Sequence, residues 1–304
     1  MTSILVTGAT GNIGRHVVAG LLEHGAAVRA MSRNPASAAA TLPPGAEIVG
    51  GDFTDAGSLA AALSGVDAVF LLWPSLSADG ADAVAALIAE HARHVVLVSA
   101  LSVRDDRDPA ENGVWGQVEH AVRQTGVAWT FLRAGGFATN TLGWAAEIRS
   151  GRDVRIPYVH AARSLIHERD IADVAVRALT EDGHEGAAYV LTGPAVVTQA
   201  DQVRIIGEAV GRAARAVEIS PAEARPQLTA ALGDPAFVEG ALAYWGSLVE
   251  TPELVTHQVE KVTGRPARTF GEWAHEHADD FRAPPPAPGG AHPDAAAAVT
   301  RKTG

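Results

Sequence analysis

The sequence predicts an α/β fold, a doubly wound parallel sheet with a smaller, mainly helical C-terminal lobe. Three observations predict it. A short apolar run, Ser3-Ile4-Leu5-Val6, feeds into Thr7-Gly8-Ala9-Thr10-Gly11-Asn12-Ile13-Gly14, a Gly-x-x-Gly-x-x-Gly loop between a strand and a helical pattern. Apolar, strand-like runs then alternate with Ala-rich helical patterns through the first half. The 304 residues are 47% hydrophobic and 19% charged, enough apolar material for a sizeable core.

The first strand and its loop form an anion socket. Gly8 permits the tight turn, Gly11 lets backbone N–H groups approach a pyrophosphate, and Gly14 allows close packing of helix on strand. The helix that follows carries Ile13, Val17, Val18, Leu21 and Leu22 on one face. Further strands are expected at 27–32, 47–50, 66–73, 94–100 and 129–133, with helices near 36–41, 58–63, 79–92 and 114–124. Strands spaced this way form βαβ units, and right-handed crossovers wind them into a nucleotide-binding sheet.

The second half is less regular. Gly135-Gly136-Phe137 breaks the pattern, 154–158 reads as a short edge strand, and 171–179 reads as a helix with Asp170 placed to cap it. A strand near 188–192 is expected to rejoin the sheet. Helices follow at 199–210, 221–232, 236–249, 252–261 and 269–281. The organisation expected is a dinucleotide-binding domain at 1–150, a substrate lobe at 151–282, and a disordered Pro/Ala/Gly tail at 283–304.

Composition excludes several classes. The net charge of −11 argues against nucleic-acid or anionic-membrane partners, and the absence of cysteine rules out disulfides, thiolate catalysis and Cys-based metal sites. No signal peptide precedes the first strand and no apolar run has membrane-spanning length, so a cytoplasmic protein is expected. His275-Glu276-His277 is no metal motif, because residues two apart point to opposite sides of a helix, and no metal site is expected.

The end of the second strand bears on the nucleotide. Ser32 and Arg33 stand there with no acid before Glu47, which suits a 2′-phosphate and so NADP(H). After the third strand, Asp52 can accept from the adenine amino group and Phe53 can flank the ring; a turn or helix cap is the alternative role for Asp52.

Thr7–Gly14, Arg33-Asn34-Pro35, Gly51–Asp55, Val69–Pro74, Trp129–Asn140 and Glu168–Ala172, in this order, resemble the NmrA-like, atypical short-chain dehydrogenase/reductase family over residues 2 to 281. The resemblance implies NADP(H) held by the Gly loop (Gly8, Thr10, Gly11, Asn12, Ile13, Gly14), by Ser32 and Arg33, and by Asp52 and Phe53. It also implies that Leu72, Trp73, Pro74 and the stretch from Ala134 and Gly135 to Phe137 lie near the nicotinamide end, with Ser99 among the cofactor contacts; Ala134 replaces the family's usual proline. Ser99 stands where the family places a hydroxyl beside the substrate, and His167 precedes a segment the family sets near the pocket, so both are candidate catalytic residues. Ser99 alternatively bonds local backbone, and His120, Tyr158 and His160 are weaker candidates.

Short-chain reductases use Tyr-x-x-x-Lys, the lysine lowering the tyrosine's pKa. Here the only lysines are Lys261 and Lys302, preceded at four residues by His257 and Ala298, and the aligned pair is Glu111 and Trp115 on one helix face. Trp73, Trp115, Phe137 and Tyr158 are read as walls of an aromatic substrate pocket, with core filling as the other role of the bulky aromatics. The leading function is therefore NADP(H)-dependent reduction of a flat aromatic or quinone-like molecule. A non-catalytic NADP(H) sensor with a protein partner and a redox-neutral enzyme on polyketide quinones are the alternatives, and a homodimer stays open.

Overall fold

A computed structural model describes residues 2–282 of the chain, so the tail expected at 283–304 lies outside the described residues. The elements of the nucleotide half are β1 (Ser3–Val6), α1 (Gly14–Glu23), β2 (Ala27–Ser32), α2 (Pro35–Ala39), β3 (Glu47–Gly50), α3 (Ala56–Leu63), β4 (Ala68–Leu72), α4 (Ala81–His91), β5 (His94–Ala100), α5 (Gly113–Gln124) and β6 (Ala128–Ala134). The remainder comprises α6 (Ala145–Ser150), β7 (Val154–Ile156), β8 (Ala162–Arg163), α7 (Glu168–Thr180), β9 (Ala187–Leu191), β10 (Val197–Thr198), α8 (Gln199–Val210), β11 (Ala216–Glu218), α9 (Pro221–Leu232), α10 (Pro235–Ser247), α11 (Gln258–Thr263) and α12 (Phe270–Glu276).

Seven strands form one parallel sheet in the order β3-β2-β1-β4-β5-β6-β9. Its strands are nearly continuous apolar runs because both faces are covered. Ile4, Val6, Phe70, Val96 and Val98 pack under α1 and α7, with Val17, Leu21, Ile171 and Val174. Leu5, Val69, Leu71, Val95 and Leu97 face α3, α4 and α5, with Leu59, Ile88 and Val118. A third cluster, including Ile148, Val203, Ile206, Phe270, Trp273 and Phe281, belongs to the later helices.

Strand order reverses between β1 and β4, and open α/β sheets bind their ligands in the crevice at that point. Here the crevice is stitched by Thr7. Its hydroxyl donates to Phe70 O at 3.0 Å and accepts from Leu72 N–H at 2.9 Å, which locks the ends of the two central strands together.

Several boundaries differ from the sequence reading, each for a tertiary reason. The helix expected at 252–261 is only α11, because 252–257 is irregular and is bonded elsewhere: Glu253 N–H to Ala162 O, and Thr256 N–H to the Thr192 hydroxyl. Asp170 does not cap α7. It sits in the first turn with its carboxylate bonded to Arg268, while His167 is the N-cap and accepts from Arg169 N–H through Nδ1 at 3.1 Å. The helix expected at 269–281 ends at Glu276 and continues as a 3₁₀ turn, Ala278–Phe281. Tyr158 falls after β7 rather than in it, with φ +56°, a conformation unfavourable for a residue with a side chain.

Candidate active site

The Gly loop leaves β1 at the crevice. Gly8 has φ +60°, and Leu72 at the end of β4 packs directly beside it. Gly14 opens α1 so close to the loop that a Cβ there would lie 2.1 Å from Gly8 O. At Gly11 a Cβ would meet only Gly8 O, at 3.2 Å, a tight contact but a far milder one than at Gly14. Ile13 is buried beneath the loop, whereas Thr10 and Asn12 are exposed beside it. No side chain caps α1 and no acid stands in its first turn, so its positive end is left for an external anion. This is the observation by which the loop fits a dinucleotide pyrophosphate.

Ser32 and Arg33 follow at the end of β2. The Ser32 hydroxyl accepts from Asn34 N–H at 3.1 Å, and Arg33 is exposed with no salt bridge among the described residues. Asp52 folds the turn after β3, accepting from the N–H and hydroxyl of Thr54 through one oxygen; those bonds hold its pKa below the usual carboxylate value. Phe53 packs on Trp73, with ring centroids 5.8 Å apart.

Other expectations need correction. Trp73 is mostly core: it is 9% exposed, within the cluster beneath α3 to α5, and its indole donates to Ser77 O. Pro74 is exposed just beyond it. Ser99 is no free hydroxyl, because it donates at 2.6 Å to buried Glu119, whose carboxylate also receives Nε and Nη2 of Arg133 at 3.0 and 2.7 Å. Glu111 and Trp115 do not share a helix face: Glu111 is in a separate 3₁₀ turn, divided from Trp115 by Gly113 at φ +64°. His120 and His160 are exposed.

His167 is 1% exposed; its Nδ1 caps α7 and its Nε2 lies 3.4 Å from Glu276 of α12, outside hydrogen-bond geometry. It belongs to a buried cluster joining α7 to α12, an unsuitable place for a proton donor to substrate. Glu168 is the centre of that cluster, accepting from the Trp273 indole at 3.0 Å and from His277 Nε2 at 2.7 Å. His277 Nδ1 donates to Asp280 at 2.9 Å, so both ring nitrogens face carboxylates. His16 of α1 borders the group, and burial first, then Arg15, pulls its pKa to about 4, which leaves it neutral.

The hydrogen bond to Glu168, opposed by burial and reinforced by Asp280, raises the His277 pKa above its ordinary 6.5. A raised value means that the stabilisation is complete below pH 6.5 and is lost as pH rises through the folded-state pKa. His277→Gln is therefore expected to cost about 1.5–3 kcal/mol near pH 6, as for a hydrogen bond to a charged group. The deficit should shrink toward pH 9. Denaturant unfolding of both proteins across this interval is the check; a deficit independent of pH would show that no imidazolium is present.

Beyond the C-terminal ends of β5 and β6 lies α10, which the sequence reading left without a role. Phe237 near its start packs on Trp115 at the start of α5, with centroids 6.2 Å apart. Near its end the Trp245 ring lies 5.9 Å from the Arg163 guanidinium, which abuts Gly136 in the loop after β6. At about 1.5 Å per residue these anchors are about 12 Å apart, so α10 bridges the segments that leave the C-terminal ends of β5 and β6. The loop itself is pinned by Gly135 N–H to Leu191 O and Ala138 N–H to Ile166 O; Ala134 and Gly135 are buried in it and Phe137 is half-buried. Half-buried Tyr158 lies against Gly246 of α10.

A sequence profile described as NAD(P)H-binding matches residues 8–182. The chain is 39% identical to a (4-alkanoyl-5-oxo-2,5-dihydrofuran-3-yl)methyl phosphate reductase of Streptomyces griseus, over 91% of this chain and 99% of the relative. It is 38% identical to an NAD(P)H azoreductase of Xenophilus azovorans, over 92% and 99%. Among solved structures, an NADPH-dependent quinone oxidoreductase from Escherichia coli superposes with a TM-score of 0.73 at 22% identity, over 90% of this chain and 98% of that one, a likeness of fold.

Proposed function

The chain belongs to the NAD(P)H-binding family, and we propose that it is an NADP(H)-dependent oxidoreductase that reduces a flat, conjugated, quinone-like small molecule without a Tyr-Lys pair. The observation that carries this reading is the uncapped, acid-free start of α1 at the strand-order reversal, beside strand ends bridged by an aromatic-bearing α10. Two relatives matched along nearly their whole length are named as reductases, which supports catalysis over sensing.

In this reading the Gly loop and α1 hold the pyrophosphate, and Ser32 and Arg33 meet the 2′-phosphate. The second oxygen of Asp52 and the Phe53 ring meet adenine, while Leu72, Pro74, Ala134 and Gly135 border the nicotinamide end. The bound dinucleotide supplies a hydride. The chain's own contribution is orientation: Trp115, Phe237 and Phe137 hold a planar acceptor face-on and exclude water from one side. Hydride addition to a quinone yields a delocalised oxyanion that takes its proton from solvent, so no buried acid is required.

The test is multiple-turnover oxidation of NADPH with a panel of quinones and azo compounds. Steady oxidation beyond one equivalent supports the reading; tight binding with every acceptor inert would overturn it. Arg33→Glu should weaken NADPH about 100-fold, roughly 2.7 kcal/mol, and NADH by less than about 3-fold. Equal losses for the two cofactors would remove Arg33 from the 2′-phosphate site.

A further inference from the structure

We infer that Arg163 selects substrates bearing a phosphate monoester, receiving that group beside the loop that follows β6; the inference rests on the reductase reading above. The Arg163 side chain is 13% exposed, yet its Nε is buried without any hydrogen-bond partner. Buried polar groups are almost always paired, and one that is not calls for a specific cause.

The neighbouring acid does not supply the missing bonds. Glu253 lies 3.9 Å away, and its oxygens are already engaged: one accepts from Ser164 N–H at 2.8 Å and from the Ser164 hydroxyl at 2.9 Å, the other from the Tyr244 hydroxyl at 2.6 Å. Glu253 therefore balances the charge of Arg163 while leaving its N–H groups available. A structural ion pair would place the fork on the carboxylate, bidentate and near 2.8 Å.

The position of the fork is specified by Gly136. A Cβ there would stand 2.0 Å from Arg163 Nη2 and 2.6 Å from Cζ, so the guanidinium takes this place against the loop because position 136 is glycine and would have to swing aside from a larger residue. Trp245 supports it at 5.9 Å. This puts an underused cation next to Ala134–Phe137, the segment assigned above to the nicotinamide end and the acceptor. A guanidinium so held matches the paired oxygens of a phosphate, and its partial desolvation strengthens the attraction. The Streptomyces griseus relative is named as the reductase of a phosphate ester.

The experiment compares two ligands that differ only in the phosphoryl group, a 4-acyl-butenolide methyl phosphate and the same butenolide as the free alcohol. Each is titrated calorimetrically into the protein saturated with NADP⁺. Wild type is expected to bind the ester at least about 30-fold more tightly than the alcohol. Arg163→Met should reduce that preference to within about 3-fold, and Arg163→Lys should keep part of it, because a point charge remains without the fork. Thermal midpoints confirm that each variant is folded, and the lysine variant serves if the methionine variant is not. Equal binding of ester and alcohol to wild type, or a preference that survives in Arg163→Met, would overturn the proposal. The readout needs no hydride transfer, so failure of the reductase reading shows up separately, as inert acceptors in the turnover assay.

Discussion

Valine in place of Gly11 is expected to weaken NADPH binding by more than about 100-fold, at least 2.7 kcal/mol, with the fold retained. The structure separates the roles of the loop glycines. At Gly11 an added Cβ meets one atom, Gly8 O at 3.2 Å, a tight contact that a shift of a few tenths of an ångström relieves, and the space beyond it is outward. Outward is where a pyrophosphate would approach the loop N–H groups and the free end of α1, and a branched side chain blocks that approach. Gly14 is the contrast. There a Cβ would lie 2.1 Å from Gly8 O, 2.7 Å from Gly8 C and 2.8 Å from Ala9 Cα, all backbone, so Gly14→Ala must open the loop itself. Gly11→Val should therefore lose binding with only a small drop in melting midpoint, whereas Gly14→Ala should lose both. Fluorescence titration with NADPH and thermal unfolding of the two variants make the comparison. Retained affinity in Gly11→Val would contradict the loop assignment.

The sheet was legible because its signals are local: apolar runs, the spacing of Gly8, Gly11 and Gly14, and Ala-rich helical faces each lie within about 20 residues. The substrate side was not, because its contacts join distant parts of the chain. Arg163 meets Gly136 and Trp245, and Trp115 meets Phe237, pairings that no periodicity reports. Residue chemistry misled at Ser99 and His167 for one reason. Polar groups near a predicted pocket read as catalytic, yet each is engaged in the fold: Ser99 donates to Glu119 of α5, and His167 caps its own helix through Nδ1 while its ring is buried. The absence of a free cap at α1 and the orphaned Nε of Arg163 are opposite cases, visible only once every neighbouring donor and acceptor has been placed.

The same principle predicts the largest loss of stability, Arg133→Ala. Arg133 is 5% exposed and forms a fork on Glu119, which is 3% exposed, through bonds of 3.0 and 2.7 Å. Its remaining donors reach Asp105 at 3.0 and 2.7 Å, and its hydrogen bonds hold the Asp105 pKa down to about 2. Arg123 adds a further bond to Asp105 at 2.9 Å while stacking over Trp129 and Phe131. Truncating Arg133 leaves the Glu119 carboxylate in the sheet–helix interface with only the Ser99 hydroxyl as a hydrogen-bond donor and Arg123 at 3.8 Å as a distant countercharge. Breaking a buried pair by removing one partner costs about 3–5 kcal/mol, whereas replacing both by apolar groups of similar volume often costs far less. Arg133→Ala is therefore expected to lose about 3–5 kcal/mol, and Arg133→Met combined with Glu119→Leu to lose substantially less. The exposed Asp105 contributes little to this, since solvent screens it. Denaturant unfolding of both variants decides the matter: a loss below about 1 kcal/mol for the single variant, or a larger loss for the double, would mean that the network does not hold β5 and β6 to α5. Because Arg133 directly precedes Ala134-Gly135-Gly136, the single variant should also bind acceptor more weakly than the double does, the loop losing its support where the unpaired carboxylate draws in water.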